Sequence, residues 1–388
     1  MTSQPAVGDD GTVYVKTFGL LQGYDPSGKL KWHSSKGVFV DFGSIPVVGK
    51  DGTVYVRESM MRFKDAPDLF GSNDGIVALR SDGSVKWRAS IKDANGGVGP
   101  ESKFSLDDRN TLYCTVDSDF FSQETLVAIS EDGKERWRFK AEDNMTAPVE
   151  IQGDGRVMFL STSNVSHLYE FDRDGNMTGF KTLTLRVGGG FSVASDGSIY
   201  IPAGLNSTPT LNAMDRTGSP KWQFKSNYRA WCAPVIGPDG TLYFTMGVKN
   251  TNFLVALSND GKLKWQYDLG HHWSMDPPVV ASDGTTFVVS CDPKVTAVNA
   301  DGTLRWVFRA PRRIHIPRSW DGFTKELRER INDEGNVAVG QLTLTTNGIL
   351  YAAIDNTLYA LDVGVGLATN SPWPMTPGNP RLTGQIKN

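Results

Sequence analysis

One short pattern recurs along the whole chain and limits its fold more than any other feature. An Asp-Gly pair is followed by a β-rich triplet that ends in an aromatic residue. It appears as Asp10-Gly11-Thr12-Val13-Tyr14, Asp51-Gly52-Thr53-Val54-Tyr55, Asp196-Gly197-Ser198-Ile199-Tyr200 and Asp239-Gly240-Thr241-Leu242-Tyr243. Weaker copies run from Asp108 to Tyr113, Asp154 to Phe159, Asp283 to Phe287 and Asn347 to Tyr351, which makes eight. A second signature follows each one, a Gly turn and a short strand ending in Trp: Gly28 to Trp32, Gly83 to Trp87, Gly133 to Trp137, Gly218 to Trp222, Gly261 to Trp265 and Gly302 to Trp306. In the fourth unit, Gly175 to Phe180 reads as Phe in place of Trp, and the eighth unit is degenerate and ends near Trp373.

Asp-Gly and Asn-Gly between alternating apolar residues are strong hairpin signals, because Gly accepts the positive φ of a tight turn. Each unit therefore holds two hairpins. An apolar strand such as Leu254-Val255-Ala256-Leu257 lies between them, and another, often opened by Pro as in Pro234-Val235-Ile236, precedes the first turn. Four strands, A to D, in a unit of this size make a propeller blade. The expected fold is an all-β, eight-bladed propeller of four-stranded antiparallel blades, with seven blades as the lesser alternative. A chain of 388 residues would ordinarily suggest two or three domains. Closed β architectures grow by adding units, so 1–388 is read as one domain, with insertions at 57–74 and 310–336. A Trp once per blade is packing, not a ligand stack: it covers the junction between blades, and its N–H needs one partner.

The repeat resembles the pyrroloquinoline-quinone (PQQ)-type propeller repeat. The resemblance rests on the units P-x-V-x-x-D-G-x-V-Y and L-x-A-L-x-x-D-G-x-x-x-W and covers about Pro5 to Trp373. That family includes quinoprotein alcohol dehydrogenases and the outer-membrane assembly lipoprotein propeller. The resemblance implies a periplasmic or secreted setting, although Met1 to Val7 has no basic region followed by an apolar core, so no signal peptide is read in this chain. It also implies where a quinone would sit in the dehydrogenases: beside a vicinal Cys-Cys pair, over a Trp floor, near a calcium site. This sequence has no Cys-Cys pair. PQQ is therefore not expected, no cofactor is predicted, and calcium in an Asp-Gly turn is left open. The three cysteines, Cys114, Cys232 and Cys291, are far apart and are read as free, buried thiols.

A net charge of −3 excludes a general nucleic-acid binder, which needs a basic face. No run of roughly 18 apolar residues spans a bilayer. The expected partner is a glycan, a peptide or a protein, met by a monomer.

Topology selects the binding face. Successive strands are antiparallel, so the A–B and C–D turns share one face of the disc, and the B–C loops and D–A connections share the other. The first set is nearly all tight turns. The long segments fall on the second face, which is therefore the one able to shape a site. The insertion at 310–336 opens with Arg312, Arg313, His315 and Trp320, and Asp321 to Ile331 reads as a short helix. The D–A connections bring Asp41, Asn144, Arg186, Tyr228, Arg229, Trp231, His271, His272 and Trp273 to the channel mouth. His271 and His272 are adjacent, and neighbouring side chains on an extended segment point opposite ways, so shared metal ligation is not expected. The Arg residues suit an anion, and Trp231, Trp273 and Trp320 suit stacking.

Two functions follow. The first is a binding propeller using Asp41, Asn144, Arg186, Trp231, His271, Trp273, Arg312, Arg313, His315 and Trp320. The second is a carbohydrate-active enzyme, a lyase on an acidic polysaccharide. There Arg229 would neutralise a uronate carboxylate, and His272 or Tyr228 would move the proton.

Overall fold

A computed structural model describes residues 3–17, 19–34, 38, 40, 44–58, 75–91, 104–117, 124–141, 149–162, 165–183, 187, 190–202, 210–248, 251–271, 276–290, 294–310, 340–354, 357–372 and 374–375. They form an all-β, eight-bladed propeller of antiparallel blades spanning 6–33, 47–89, 105–140, 150–183, 192–224, 229–270, 279–309 and 340–362. Strands are named by blade number and letter. Strand A, innermost, is typically two buried residues, as in 1A (Ala6–Val7) and 7A (Val279–Val280). Strand D, outermost, alternates half-buried and exposed positions, as in 3D (Glu135–Lys140). No described helix is long and apolar enough to cross a membrane.

The tight turns form where the Asp-Gly pairs stand. Gly11, Gly52, Gly197, Gly240 and Gly284 all have φ near +80°, a region closed to most side chains. The turn Asp accepts from the backbone N–H two residues on, as Asp51 Oδ1 does from Thr53 at 3.1 Å. Its other oxygen meets a cation that the repeat places one residue before the strand-D Trp. Lys86 Nζ lies 2.9 Å from Asp51 Oδ2, Lys264 Nζ 3.1 Å from Asp239 and Arg305 Nη1 2.8 Å from Asp283. Each such half-exposed pair is worth little alone, but together they pin strand D to the A–B turn.

The tryptophans join successive blades. Within a blade the indole packs on the strand-B tyrosine, with ring centroids 5.8 Å apart for Tyr14–Trp32 and Tyr243–Trp265. Its Nε1–H donates to a carbonyl in the C–D turn of the next blade. Trp32 reaches Ser81 O at 2.6 Å, Trp87 reaches Glu131 O at 2.7 Å, Trp137 reaches Arg173 O at 3.1 Å, Trp222 reaches Asn259 O at 2.9 Å and Trp265 reaches Ala300 O at 2.8 Å. The ring lies on the turn glycine of that next blade. A Cβ built on Gly83, Gly133, Gly175, Gly261 or Gly302 would come within 2.6–2.8 Å of it. Burial pushes the tyrosine hydroxyls up, to about 12 for Tyr14, Tyr200 and Tyr243.

Blade 4 corrects the expected Phe-for-Trp substitution. In 4C (Ser166–Phe171) and 4D (Met177–Leu183), Glu170 pairs with Gly179 where other blades pair Ala with Trp, for example Ala128 with Trp137. Gly179 therefore holds the Trp position, and Phe180 is the next residue, 51% exposed. The vacated face carries Arg156, whose Nη1 lies 3.0 Å from Glu170 Oε2, and Thr178, which donates to Glu170 at 3.2 Å. Over the next blade's turn glycine, Gly218, lies the aliphatic stem of Lys181 instead of an indole.

Blade 8 is the degenerate unit. Its described strands are three, 8A (Gly340–Leu344), 8B (Ile349–Ile354) and 8C (Thr357–Asp362). Among the described residues, no fourth strand lies beside 8C. The chain turns inward as a strap across the tight-turn face. Val363 N–H donates to Gly348 O, Leu367 N–H to Thr345 O and Ser282 N–H to Gly366 O. Ala368 N–H donates to Val280 O, Val280 N–H to Pro374 O, and Ser371 Oγ to Ile236 O in blade 6. Ala368 and Met375 are fully buried. Trp373 lies outside the described residues. The ring closes blade against blade: Thr343 Oγ1 donates to Pro5 O at 2.6 Å and Gln4 Nε2 to Leu342 O at 3.1 Å.

Arg57 and Glu58 belong to strand 2B (Val54–Glu58), so the blade-2 insertion begins later than expected. Residues 59–74, 311–339 and the helix read at 321–331 lie outside the described residues.

Candidate functional site

The loop face is described best at blade 6, and there the repeat departs from its pattern. Strand A is split into 6A′ (Arg229–Ala230) and 6A (Val235–Ile236), both paired with 6B (Leu242–Val248). Pro234 has no N–H to give to a ladder, and the two pieces are joined through Trp231 N–H, which donates to Thr245 O at 3.0 Å. The extra piece carries the innermost strand of blade 6 further toward the loop face than a two-residue strand A reaches.

The connection leading into it is fixed from below. Thr210 Oγ1 lies 2.8 Å from Tyr228 O and 3.2 Å from Ser226 O. The Tyr228 ring meets Phe253 edge-on at 5.0 Å, and both pack on a core cluster that runs from blade 4 to Val280 of blade 7. Arg229 does not follow it. The Arg229 guanidinium carbon sits 5.0 Å from the Trp231 ring centroid, a cation–π pair. Its Nε is buried and makes no hydrogen bond, and no salt bridge to a described carboxylate forms. Cys232 is buried, lies 3.5 Å from Thr245 Oγ1, and has its thiol pushed up to about 11, chiefly by burial.

Directly across the sheet from Arg229 lie Gly247, then Asn252 on 6C (Thr251–Leu257), then Gly270 on 6D (Leu263–Gly270). Residues directly opposite one another share a face. Leu254, two residues after Asn252, packs with Leu269, Val288 and Val298, so this face looks toward blade 7. Lys294 of blade 7 reaches back and donates to Leu269 O at 3.1 Å. Asn252 is 1% exposed; its Nδ2 donates to Gly270 O at 3.4 Å, while its Oδ1 has no partner.

Of the residues expected at the site, the structure brings Arg229 and Trp231 together, turns Tyr228 onto Phe253, and leaves His271 exposed just past 6D. His272, Asp41, Asn144, Arg186, Trp273, Arg312, Arg313, His315 and Trp320 lie outside the described residues. Asn252 and its flanking glycines were not expected. Gly247, which interrupts the Leu-Tyr-Phe-Thr-Met-Gly-Val strand, was the available signal, since Gly inside a strand marks a close approach. Among the described residues, no three His, Cys, Asp or Glu side chains converge as metal ligands do.

Residues 72–178, 207–319 and 250–368 match the family described as outer membrane protein assembly factor BamB, which carries the PQQ-type repeat. The chain belongs to this family. Among solved structures, BamB from Moraxella catarrhalis is similar in fold at 13% identity, with 91% of this chain and 95% of that one covered and a TM-score of 0.60. The C-terminal WD40 domain of Sif2 reaches a TM-score of 0.62 at 9% identity over 95% and 97% of the two chains. Streptogramin B lyase reaches 0.53 at 11% over 82% and 94%. At such identities these likenesses show the propeller alone. No curated protein matches the sequence.

Proposed function

We propose that this BamB-family propeller is a non-enzymatic docking protein that binds a protein partner through its loop face. One observation carries the proposal. On the tight-turn face Lys31, Lys86, Lys221, Lys264 and Arg305 are each paired with an Asp. On the loop face Arg229 is held on an indole, with no carboxylate bound among the described residues. A cation with its place fixed and its donors uncommitted is suited to a partner that arrives from outside. Family membership supports the same reading, since the matched family is described as an assembly factor. Tyr228 packs on Phe253, away from Arg229, which does not support a β-elimination that pairs these two residues. The sequence has no adjacent Cys-Cys pair of the kind the dehydrogenases place beside their quinone.

Site-specific crosslinking tests the proposal. A photoreactive residue at Val248, exposed at the loop-face end of 6B, is compared with one at Asn259 in a C–D turn. A partner captured from Val248, lost on Arg229→Ala, and not captured from Asn259 is the expected result. Equal capture from both faces, or capture indifferent to Arg229, would overturn it.

A further inference from the structure

The row Arg229, Gly247, Asn252 and Gly270 forms a slot at the loop-face end of the seam between blades 6 and 7. We propose that this slot reads one peptide amide of the partner, its C=O accepting from Arg229 and its N–H donating to Asn252. The inference rests on the docking reading above and names what that site recognises.

Three observations converge. The row holds an unmatched donor and an unmatched acceptor: Arg229 Nε and Asn252 Oδ1 are both buried and both without a hydrogen-bond partner. Native proteins rarely leave such groups unmatched, and each one calls for an explanation. Their placement is fixed by the two glycines. The Asn252 carboxamide is oriented by its own Nδ2, which donates to Gly270 O, so Oδ1 leans the other way, over Gly247. A Cβ on Gly247 would stand 2.3 Å from that oxygen, so the missing side chain leaves room for it on the Arg229 side. At Gly270, where φ is +83°, no atom of the described residues lies within 4 Å of a built Cβ.

The chemistry selects the ligand class. A carboxylate would satisfy Arg229 but would set its second oxygen against Asn252 Oδ1, one acceptor facing another. A group that offers an acceptor and a donor side by side, without charge, satisfies both. An amide is that group. The Trp231 ring beneath the guanidinium holds the cation in place and leaves its N–H edge for the ligand.

The test uses the whole chain, isotope-labelled, with the Arg229 Nε–H and Trp231 indole resonances followed by NMR and assigned by Arg229→Lys and Trp231→Phe. The probes are N-acetylalanine N-methylamide for a main-chain unit, propionamide for a side-chain carboxamide, N-acetylglucosamine for a sugar amide, and acetate. Saturable shifts with the first probe, and none with acetate, are expected. Propionamide shifting as strongly would assign the site to Asn or Gln side chains of the partner, within the same amide chemistry. Asn252→Leu should weaken the peptide probe roughly tenfold, the worth of one hydrogen bond. Its melting temperature should hold or rise, because it removes an unmatched buried oxygen. Acetate matching the amide, N-acetylglucosamine exceeding the peptide unit, or no shift from any probe would overturn the assignment. Loss of crosslinking from Val248 with amide shifts intact would instead overturn the docking reading alone.

Discussion

Gly302→Ala and Gly28→Ala form a matched pair that isolates the tryptophan junction between blades. Both glycines sit at the same step of a C–D turn, with φ of +89° and +86°. Any L side chain there costs about 1–2 kcal/mol from the backbone alone. They differ in what lies above. A Cβ on Gly302 would stand 2.7 Å from Trp265 Cγ and 2.9 Å from Cδ2, whereas one on Gly28 meets nothing within 4 Å. Gly28 is free because the blade before it is blade 8, whose described residues include no strand-D indole. In Gly302→Ala the Trp265 ring must move, which strains the junction and breaks its bond to Ala300 O. Overpacking of this kind adds about 1–3 kcal/mol. Gly28→Ala should therefore lose about 1–2 kcal/mol and Gly302→Ala about 2–5 kcal/mol. Urea unfolding followed by indole fluorescence and far-ultraviolet circular dichroism measures both, as a fall in midpoint at constant slope. Losses equal within about 0.5 kcal/mol, the usual limit of additivity, would refute the idea that the indole on the next turn holds the ring.

Three more outcomes are expected. In Asp10, Asp51, Asp196, Asp239 and Asp283 burial opposes ionisation, yet the Thr or Ser donors and the neighbouring Lys or Arg outweigh it and hold each carboxyl below its usual value. A depressed carboxylate stabilises the fold above its unfolded pKa and loses that contribution as pH falls through the folded one. The melting temperature should therefore drop below about pH 4, and a temperature that stays level to pH 3 would contradict the pairing. Met375→Ala, at a fully buried position of the strap, should cost about 2–5 kcal/mol, measured by the same urea titration. Burial pushes the thiols of Cys114 and Cys232 up to about 12 and about 11, so neither should react with an aromatic disulfide at pH 8 until the protein is unfolded, as mapped by peptide mass.

The fold was legible because most of its turns and junctions reuse one residue type at one position. Gly is needed where φ is positive, and Trp where a large ring must reach the next blade, so both recur at fixed spacing. The cation before each Trp, as in Lys86-Trp87 and Lys264-Trp265, was equally visible but has meaning only once Asp51 and Asp239 are seen beside it. Blade 4 misled for the same reason. Phe180 resembles the missing Trp in chemistry, whereas register, set by the hairpin, assigns the position to Gly179. At the site, the order of residues placed Arg229 and Trp231 on the right connection. The structure shows simple alternation there, with Tyr228 on one side of the sheet and Arg229 and Trp231 on the other. Asn252 was invisible: its interest lies in an unmatched oxygen, which depends on Gly247 and Gly270 from two other strands.

The forward reach of each indole gives the ring a polarity. Blades 1, 2, 3, 5 and 6 each present an indole tooth on one flank, and it closes on its socket, the turn glycine of the next blade. Because the socket is the same backbone turn in unit after unit, the junction does not distinguish one neighbour from another. A whole unit could be duplicated or excised in frame and still find both of its contacts. The number of blades is then decided by the curvature at which the innermost strands meet, and not by recognition between particular blades. Such a scaffold can gain or lose a loop-bearing unit, and so reshape its binding face, without redesigning a single seam.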